Sequence, residues 1–309
     1  MAYLKNMKLG WIGYIYQPPQ EITGTVEKLI WQMERAEERG CTVLQPLGPL
    51  PKDDTEALKK IKDAMQKYNI EYEYQCPKDI YFLSTVSKDE QNKSMENLEK
   101  EIAWVKDFGG KILRCGYGSL KVETTRWNTT PGSTGKEQIA MITESLKIAA
   151  PLFEKAGLYF AQENHLDFSG LEIAGIYEKV NSPNMGVALD TANGFGVYVD
   201  PNLDIEYMAP WAITSHMKDT KIINEDRKEN SSSYFPMTPV GCPIGEGNID
   251  FPRTIKLIAE KARYPEGFHL IIEQGWFGNE AEKAGISSAE YSLYSLDKSL
   301  EYLKKLITI

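Results

Sequence analysis

Apolar runs of strand length alternate with segments of helical period along this chain, and there are eight of them. They are 8–15 (KLGWIGYI), 42–47 (TVLQPL), 69–75 (NIEYEYQ), 111–116 (KILRCG), 158–163 (LYFAQE), 185–190 (MGVALD), 212–217 (AITSHM) and 268–273 (FHLIIE). Several are apolar throughout rather than alternating, as strands of a parallel sheet are when both faces are covered. Between them, Val26, Leu29, Met33 and Ala36 recur at helical spacing and stop at Gly40. Met95, Leu98, Ile102 and Val105 do the same before Gly109 and Gly110. Ser287-Ser288-Ala289-Glu290 reads as a capping box, opening a helix with Leu293, Leu296, Leu300 and Leu303 on one face.

Eight strand–helix alternations predict an α/β fold, a (β/α)8 barrel. A doubly wound open sheet is the competing architecture, but no G-x-G-x-x-G follows the first run. No Pro-, Gly- or Ser-rich linker divides the sequence, so residues 1–309 are expected to form one barrel domain. The length beyond the roughly 250 residues of a minimal barrel falls in three loops, about 116–136, 220–251 and 275–287. Each follows a strand, which places it at the end of the barrel where active sites form. Pro151 is expected to kink its helix.

A net charge of −9 with no clustered Lys or Arg argues against nucleic acid or an anionic membrane as a partner. The four cysteines lack any C-x-x-C pair and are expected to be buried, reduced thiols. With no stretch of about 20 apolar residues and no leader-type cleavage site, a cytoplasmic location is expected.

Four strand ends carry metal-ligand side chains: Glu163 in YFAQENH, Asp190 in MGVALDTAN, His216 in AITSHMKD and Glu273 in FHLIIEQG. In a closed barrel these ends, on strands five to eight, converge on the axis. Three carboxylates and one imidazole suit a hard or borderline divalent ion, Mn²⁺ first, then Mg²⁺ or Co²⁺.

Other polar groups cluster at strand ends. His165 shares the face of Glu163 if that strand persists, and is a candidate for proton transfer or for a hydrogen-bonded rim position. Lys218 has the parity of His216; it would orient a substrate oxygen or pair with Asp219 or Glu246. Glu246, between two glycines, either approaches a ligand or marks a turn into the helix cap Asp250. His269, four residues before Glu273, reads as a core histidine. Gln45 and Arg114 are candidate contacts to hydroxyl or carbonyl groups. Among the aromatic residues near strand ends (Trp11, Tyr14, Tyr16, Tyr74, Trp276 and Phe277), Trp11 and Trp276 are the expected pocket walls.

The stretches ENH, ALDTAN, SHMKD and IIEQ, with PIGEGNIDF after the seventh strand, resemble the xylose isomerase-like TIM-barrel superfamily. The resemblance spans most of the chain, and its specific motifs lie in 158–275. It implies that Glu163, Asp190, His216 and Glu273 bind one Mn²⁺, Mg²⁺ or Co²⁺, with the two glutamates also acting as acid and base. Asn193 stands where ketose epimerases usually carry a substrate-binding histidine. Xylose isomerases proper are longer and hold two metals. The endonuclease branch uses many histidines for three zinc ions, and this chain has three histidines in all. ENH is similar to branches with β-elimination chemistry, including inosose dehydratases and subunits that cleave C-glycosides of 3-oxo-sugars, where the equivalent of His165 resembles a base.

The function expected is a metal-dependent isomerase or epimerase that takes a proton α to the carbonyl of a sugar, oxo-sugar or polyol-derived ketone, through a metal-stabilised enediolate. A β-eliminating lyase with His165 as base is the alternative, and a non-catalytic sugar-binding barrel the second alternative. The expected partners are a carbohydrate substrate and further copies of the chain, or a smaller subunit under the deglycosidase reading. Residues 231–235 would then form part of a lid or docking surface. Phosphorylated substrates are not expected, since no Gly-rich phosphate loop is present.

Overall fold

The computed structural model describes residues 4–46, 48–118, 127, 129–224, 237–264 and 267–309. Its strand segments are β1 (Lys8–Ile12), β2 (Val43–Gln45), β3 (Glu71–Tyr72), β4 (Tyr74–Gln75), β5 (Ile112–Gly116), β6 (Tyr159–Glu163), β7 (Met185–Asp190), β8 (Ala212–Met217), β9 (Asp219–Asn224), β10 (Met237–Cys242) and β11 (His269–Ile272). Nine are parallel neighbours in the order β3-β2-β1-β11-β8-β7-β6-β5-β4. The two ends of that order, β3 and β4, are joined by a single residue, Glu73, so the chain itself completes the ring. The expected strand 69–75 is thus one stave interrupted at Glu73, and the barrel has eight staves.

Helices α1 (Thr25–Glu38), α2 (Thr55–Tyr68), α3 (Lys88–Phe108), α4 (Gly135–Ala156), α5 (Gly170–Val180), α6 (Pro201–Met208), α7 (Phe251–Lys261), α8 (Glu280–Lys283) and α9 (Ser288–Ile307) follow in chain order. Their ends are chemically marked. Ser87, Thr134, Ser169 and Ser287 each close a capping box with the glutamate three residues on, a cap worth about 1 kcal/mol. Gly109 and Gly157 stop α3 and α4 in the left-handed conformation. Helix α4 runs on through Pro151.

Apolar side chains fill the space between staves and helices, with Leu9, Val43, Leu113, Phe160, Val187 and Leu270 all buried. Gly10 lets β1 and β2 approach closely: a Cβ there would lie 1.7 Å from the Val43 carbonyl oxygen.

Two of the three expected loops carry structure of their own. Residues 220–251 contain an antiparallel hairpin, β9 paired with β10 from Asp219↔Cys242 to Asn224↔Met237; residues 231–235 lie outside the described residues. Residues 275–287 include α8. Of 116–136, residues 119–126 and 128 are outside the described residues. Among the described residues no helix is long and apolar enough to cross a membrane.

Candidate metal centre and active site

Parallel register brings the four strand-end ligands to one level. Gly116 pairs with Glu163, Asp190 with His216 and Ile271 with His216, and the Glu273 amide donates to the Met217 carbonyl at 3.0 Å. One ligand atom from each of Glu163, Asp190, His216 and Glu273 lies within 4.8 Å of all the others. His216 Nδ1 is 2.7 Å from Glu273 Oε2 and 3.3 Å from Glu163 Oε1.

The backbone holds the ligands in place. Asp190 Oδ1 accepts the amides of Ala192 and Asn193 at 2.8 and 2.9 Å, and Asn164 brackets the Asp190 peptide from both sides. Asp190 Oδ2, His216 Nδ1 and Glu273 Oε2 are buried atoms that make no well-formed hydrogen bond. They are held instead by ion-pair contacts with one another and with Lys218, and buried charges held only in this way are costly. Three oxygen donors and one nitrogen facing one point fit a divalent cation.

Two cations flank the cluster. Arg114 Nη1 is 3.3 Å from Glu163 Oε2. Lys218, itself buried, places Nζ 2.9 Å from Asp190 Oδ2, 3.4 Å from Glu273 Oε2 and 3.3 Å from Asn193 Oδ1. Burial opposes charge on Glu163, but His216 and Arg114 hold its carboxyl down at about 2. Asp190 is pushed up to about 6, because burial together with Glu273 and Glu163 outweighs the pull of Lys218. Burial disfavours a charged His216, yet Glu163 and Glu273 raise it to about 9.

The remaining expected residues divide into those near the cluster and those used elsewhere. Strand β6 ends at Glu163, so the shared strand face does not extend to His165. Half-buried His165 turns its ring to Gly118 and its Cβ to Gly116: a Cβ on Gly116 would meet His165 Cβ at 3.4 Å and Glu163 Oε2 at 3.8 Å. Asn193 is buried, with its Nδ2 unpartnered. Trp276, exposed and with a positive φ of 53°, lays its ring over Lys218 Nζ at 4.7 Å. Tyr14 donates to the Gln274 carbonyl at 3.0 Å, and burial together with nearby Glu273 raises its pKa. Glu246 is exposed.

Three expectations are corrected. Lys218 pairs with Asp190 and Glu273 rather than with Asp219 or Glu246, because strand parity turns Asp219 the other way. Trp11 is fully buried within the core and is not an open pocket wall. Gln45 has both ends of its amide engaged inside the barrel: Oε1 lies 3.0 Å from His216 Nε2, and Nε2 donates to Glu73 Oε2 at 2.6 Å.

The sequence points to Asp219 only as a partner for Lys218, and to Glu73 not at all. Asp219 accepts the amides of Thr220, Gly245, Gly247 and Ile249, fixing the loop after β8. Its signal was available: an Asp beside a GEG turn is a natural acceptor for turn amides. A cleft of about 270 Å³ opens beside the cluster, lined in part by Gln45, Glu73, Tyr74, Trp104 and Arg114.

A family model described as xylose isomerase-like TIM barrel matches residues 33–305. Among solved structures the chain is similar to a D-allulose 3-epimerase from Methylomonas sp. in complex with D-allulose (15% identity, TM-score 0.61, 99% of each chain covered). It is also similar to a xylose isomerase-like protein from Mycobacterium smegmatis in complex with magnesium (14% identity, TM-score 0.62, 97% of this chain and 100% of that one). A third likeness is to the IOLI protein with a bound zinc atom (16% identity, TM-score 0.60, 98% and 100% covered). No curated protein matches in sequence.

Proposed function

The chain belongs to the xylose isomerase-like TIM-barrel family, and from that premise we propose that it is a divalent-metal-dependent sugar isomerase or epimerase. Its substrate would be a sugar, oxo-sugar or polyol-derived ketone bearing a proton α to the carbonyl. The observation that carries this reading is the convergence of four ligand atoms within 4.8 Å, three of them buried without a well-formed hydrogen bond. Glu163, Asp190, His216 and Glu273 would hold one ion, Mn²⁺ first, with Mg²⁺ or Co²⁺ as substitutes. Likenesses to proteins that hold magnesium or zinc, and to an epimerase holding D-allulose, support a divalent ion and a sugar substrate. When bound, the ion would polarise a substrate carbonyl and stabilise negative charge on its oxygen.

The chain's own groups account for the proton movement. Glu163 and Glu273 both approach His216 Nδ1, at 3.3 and 2.7 Å. One carboxylate would take the α-proton and the other would return one. Return to the same carbon from the opposite face gives an epimer, and return to the neighbouring carbon gives an isomer. Lys218 Nζ and the unpartnered Asn193 Nδ2 would donate to substrate oxygens. Trp276 and Tyr14 offer ring surface on which the apolar face of a sugar stacks, and the Trp276 ring shields Lys218 from water.

A second reading is β-elimination with His165 as base. It is favoured by half-buried His165, whose Cβ borders Gly116 as Glu163 Oε2 does and whose ring faces Gly118, with no hydrogen bond among the described residues. His165→Ala separates the two: unchanged metal content with strong loss of turnover supports the lyase, and retained turnover the epimerase.

The test of the site itself is elemental analysis of the parent and Asp190→Ala after Mn²⁺ loading and desalting. Close to one equivalent in the parent and little in the variant is expected. Equal metal in both would sink the assignment. Solvent-deuterium uptake by ketoses, inososes and 3-oxo-glycosides would then identify the substrate class.

A further inference from the structure

A line of buried polar groups runs down the barrel from the candidate metal centre, on the side of His216 away from its ligand atom. His216 Nε2 lies 3.0 Å from Gln45 Oε1, and Gln45 Nε2 donates to Glu73 Oε2 at 2.6 Å. The other carboxylate oxygen, Glu73 Oε1, accepts from Thr214 Oγ1 and lies 2.7 Å from His269 Nδ1. All five side chains are buried. Glu73 occupies the single position between β3 and β4 where the stave is interrupted, and its carboxylate enters the barrel interior there.

We propose that Glu73 is a positioning residue that, acting through the Gln45 amide, dictates which nitrogen of His216 faces the ligand cluster. Hydrogen-bond polarity fixes the orientation of each group. An ionised carboxylate only accepts, so the Gln45 NH₂ must face Glu73 and its carbonyl oxygen must face His216. That oxygen accepts only from an N–H, so His216 must carry a proton on Nε2. A neutral imidazole then presents the bare lone pair of Nδ1 to Glu163, Asp190 and Glu273. Reversing the amide would set Gln45 Oε1 against Glu73 Oε2, two acceptors at hydrogen-bond distance. Glu73 stays ionised in this setting: burial opposes its charge, but the hydrogen bonds from His269 and Thr214 overcome that and lower its pKa. Glu73 makes no direct contact with the four clustered residues, and it is 143 residues from His216 in sequence (216 − 73).

The inference rests on the metal reading of the cluster, and its test separates the two. The chain has only three histidines, so ¹⁵N-histidine-labelled full-length protein loaded with diamagnetic Zn²⁺ gives an imidazole NMR spectrum with three rings to assign. The parent is expected to show one ring ligated through Nδ1, with a slowly exchanging proton on Nε2. In Glu73→Gln the side chain at 73 can also donate, so the Gln45 amide is free to turn. That ring should split into two ligation forms, and zinc affinity should fall about 10- to 100-fold. In a Gln45→Met background the messenger is gone, and Glu73→Gln should have no further effect on either readout. Additive losses would assign Glu73 a merely structural role and overturn the proposal. Ligation of the parent ring through Nε2 would overturn it without any variant, while leaving the metal reading standing. If zinc shifts none of the three rings, the metal reading fails and this inference with it.

Discussion

Two buried imidazoles sit at different depths of one barrel, each between two carboxylates. His269 has Glu73 at 2.7 Å on Nδ1 and Glu71 at 3.4 Å on Nε2, and Lys8 closes the series on Glu71 at 2.5 Å. His216 has Glu273 and Glu163 crowded onto the same nitrogen, with Asp190 close by. Two carboxylates face His269 and Lys8, and three face His216, Lys218 and Arg114, so charge alone does not separate the sets; around His269, however, both Glu73 oxygens and both ring nitrogens have partners. Around His216 there is a third carboxylate, and three ligand atoms lack a proper hydrogen bond. Both clusters are costly to bury. Only one has coordinating capacity left over, and that surplus, more than buried charge, marks a place for a ligand.

The comparison can be broken most sharply by removing one carboxylate from the upper cluster. Glu273→Gln should lower turnover by about a thousandfold or more, read by steady-state kinetics on the substrate that the deuterium screen identifies. Its cost in urea unfolding should be small beside that of a change at His269. If activity survives, the upper cluster is no more a reaction centre than the lower one.

The reverse experiment is His269→Leu. It leaves Glu73 buried without its main partner and should cost about 3–5 kcal/mol in urea unfolding, the usual penalty for breaking a buried pair. Metal affinity should also fall, because a Glu73 that loses the His269 hydrogen bond can protonate and no longer fixes the Gln45 amide. Unchanged metal affinity in a well-folded His269→Leu protein would show that the two clusters are separable.

pH sharpens the contrast. The folded pKa of His216, about 9, lies above the ordinary value of 6.5. The folded metal-free protein therefore binds more protons between those values than the unfolded chain does. The resulting stability is complete below pH 6.5 and is lost as pH rises through 9. His269 is raised by Glu71 and Glu73 against the effect of burial, and it contributes with the same sign. Bound metal takes the place of the Nδ1 proton, so the loaded protein should keep only the His269 share of the decline. Equal slopes with and without metal, in urea titrations from pH 6 to 10, would remove the distinction.

The smallest effect is expected at Lys218. Lys218→Met takes away the cation that holds Asp190 and Glu273 together in the metal-free protein. Added Mg²⁺ should then raise Tm by a few degrees more in the variant than in the parent. An identical rise would mean that Lys218 does not compete for the site.

How much of this was legible follows from what is local. The convergence of Glu163, Asp190, His216 and Glu273 could be read because each ends its own apolar run, and a barrel brings such ends together whatever the helices do. The eight staves were legible for the same reason. The partners of Lys218 were misread because sequence proximity suggested Asp219 and Glu246, whereas the neighbours across strands are Asp190 and Glu273. Glu73 could not be read, since EYEYQ looks like a surface-alternating strand and only closure of the ring between β3 and β4 turns that residue inward. Gln45 was noticed, but its partners lie on other staves, and pairing around a ring is invisible to a one-dimensional pattern. The β9–β10 hairpin did carry a signal, in the short runs TKIIN and MTPVGC.

The strand order also has a kinetic meaning. Strand β11 lies between β1 and β8, so the ring is sealed by joining the first stave to the last, the contact of highest sequence separation in the sheet. Glu273 immediately follows that strand. A chain made from its N-terminus carries Glu163, Asp190 and His216 well before the residue that completes the set. An ion held by all four residues would therefore be captured only at the final closure step. In refolding experiments, zinc uptake should coincide with the slowest phase.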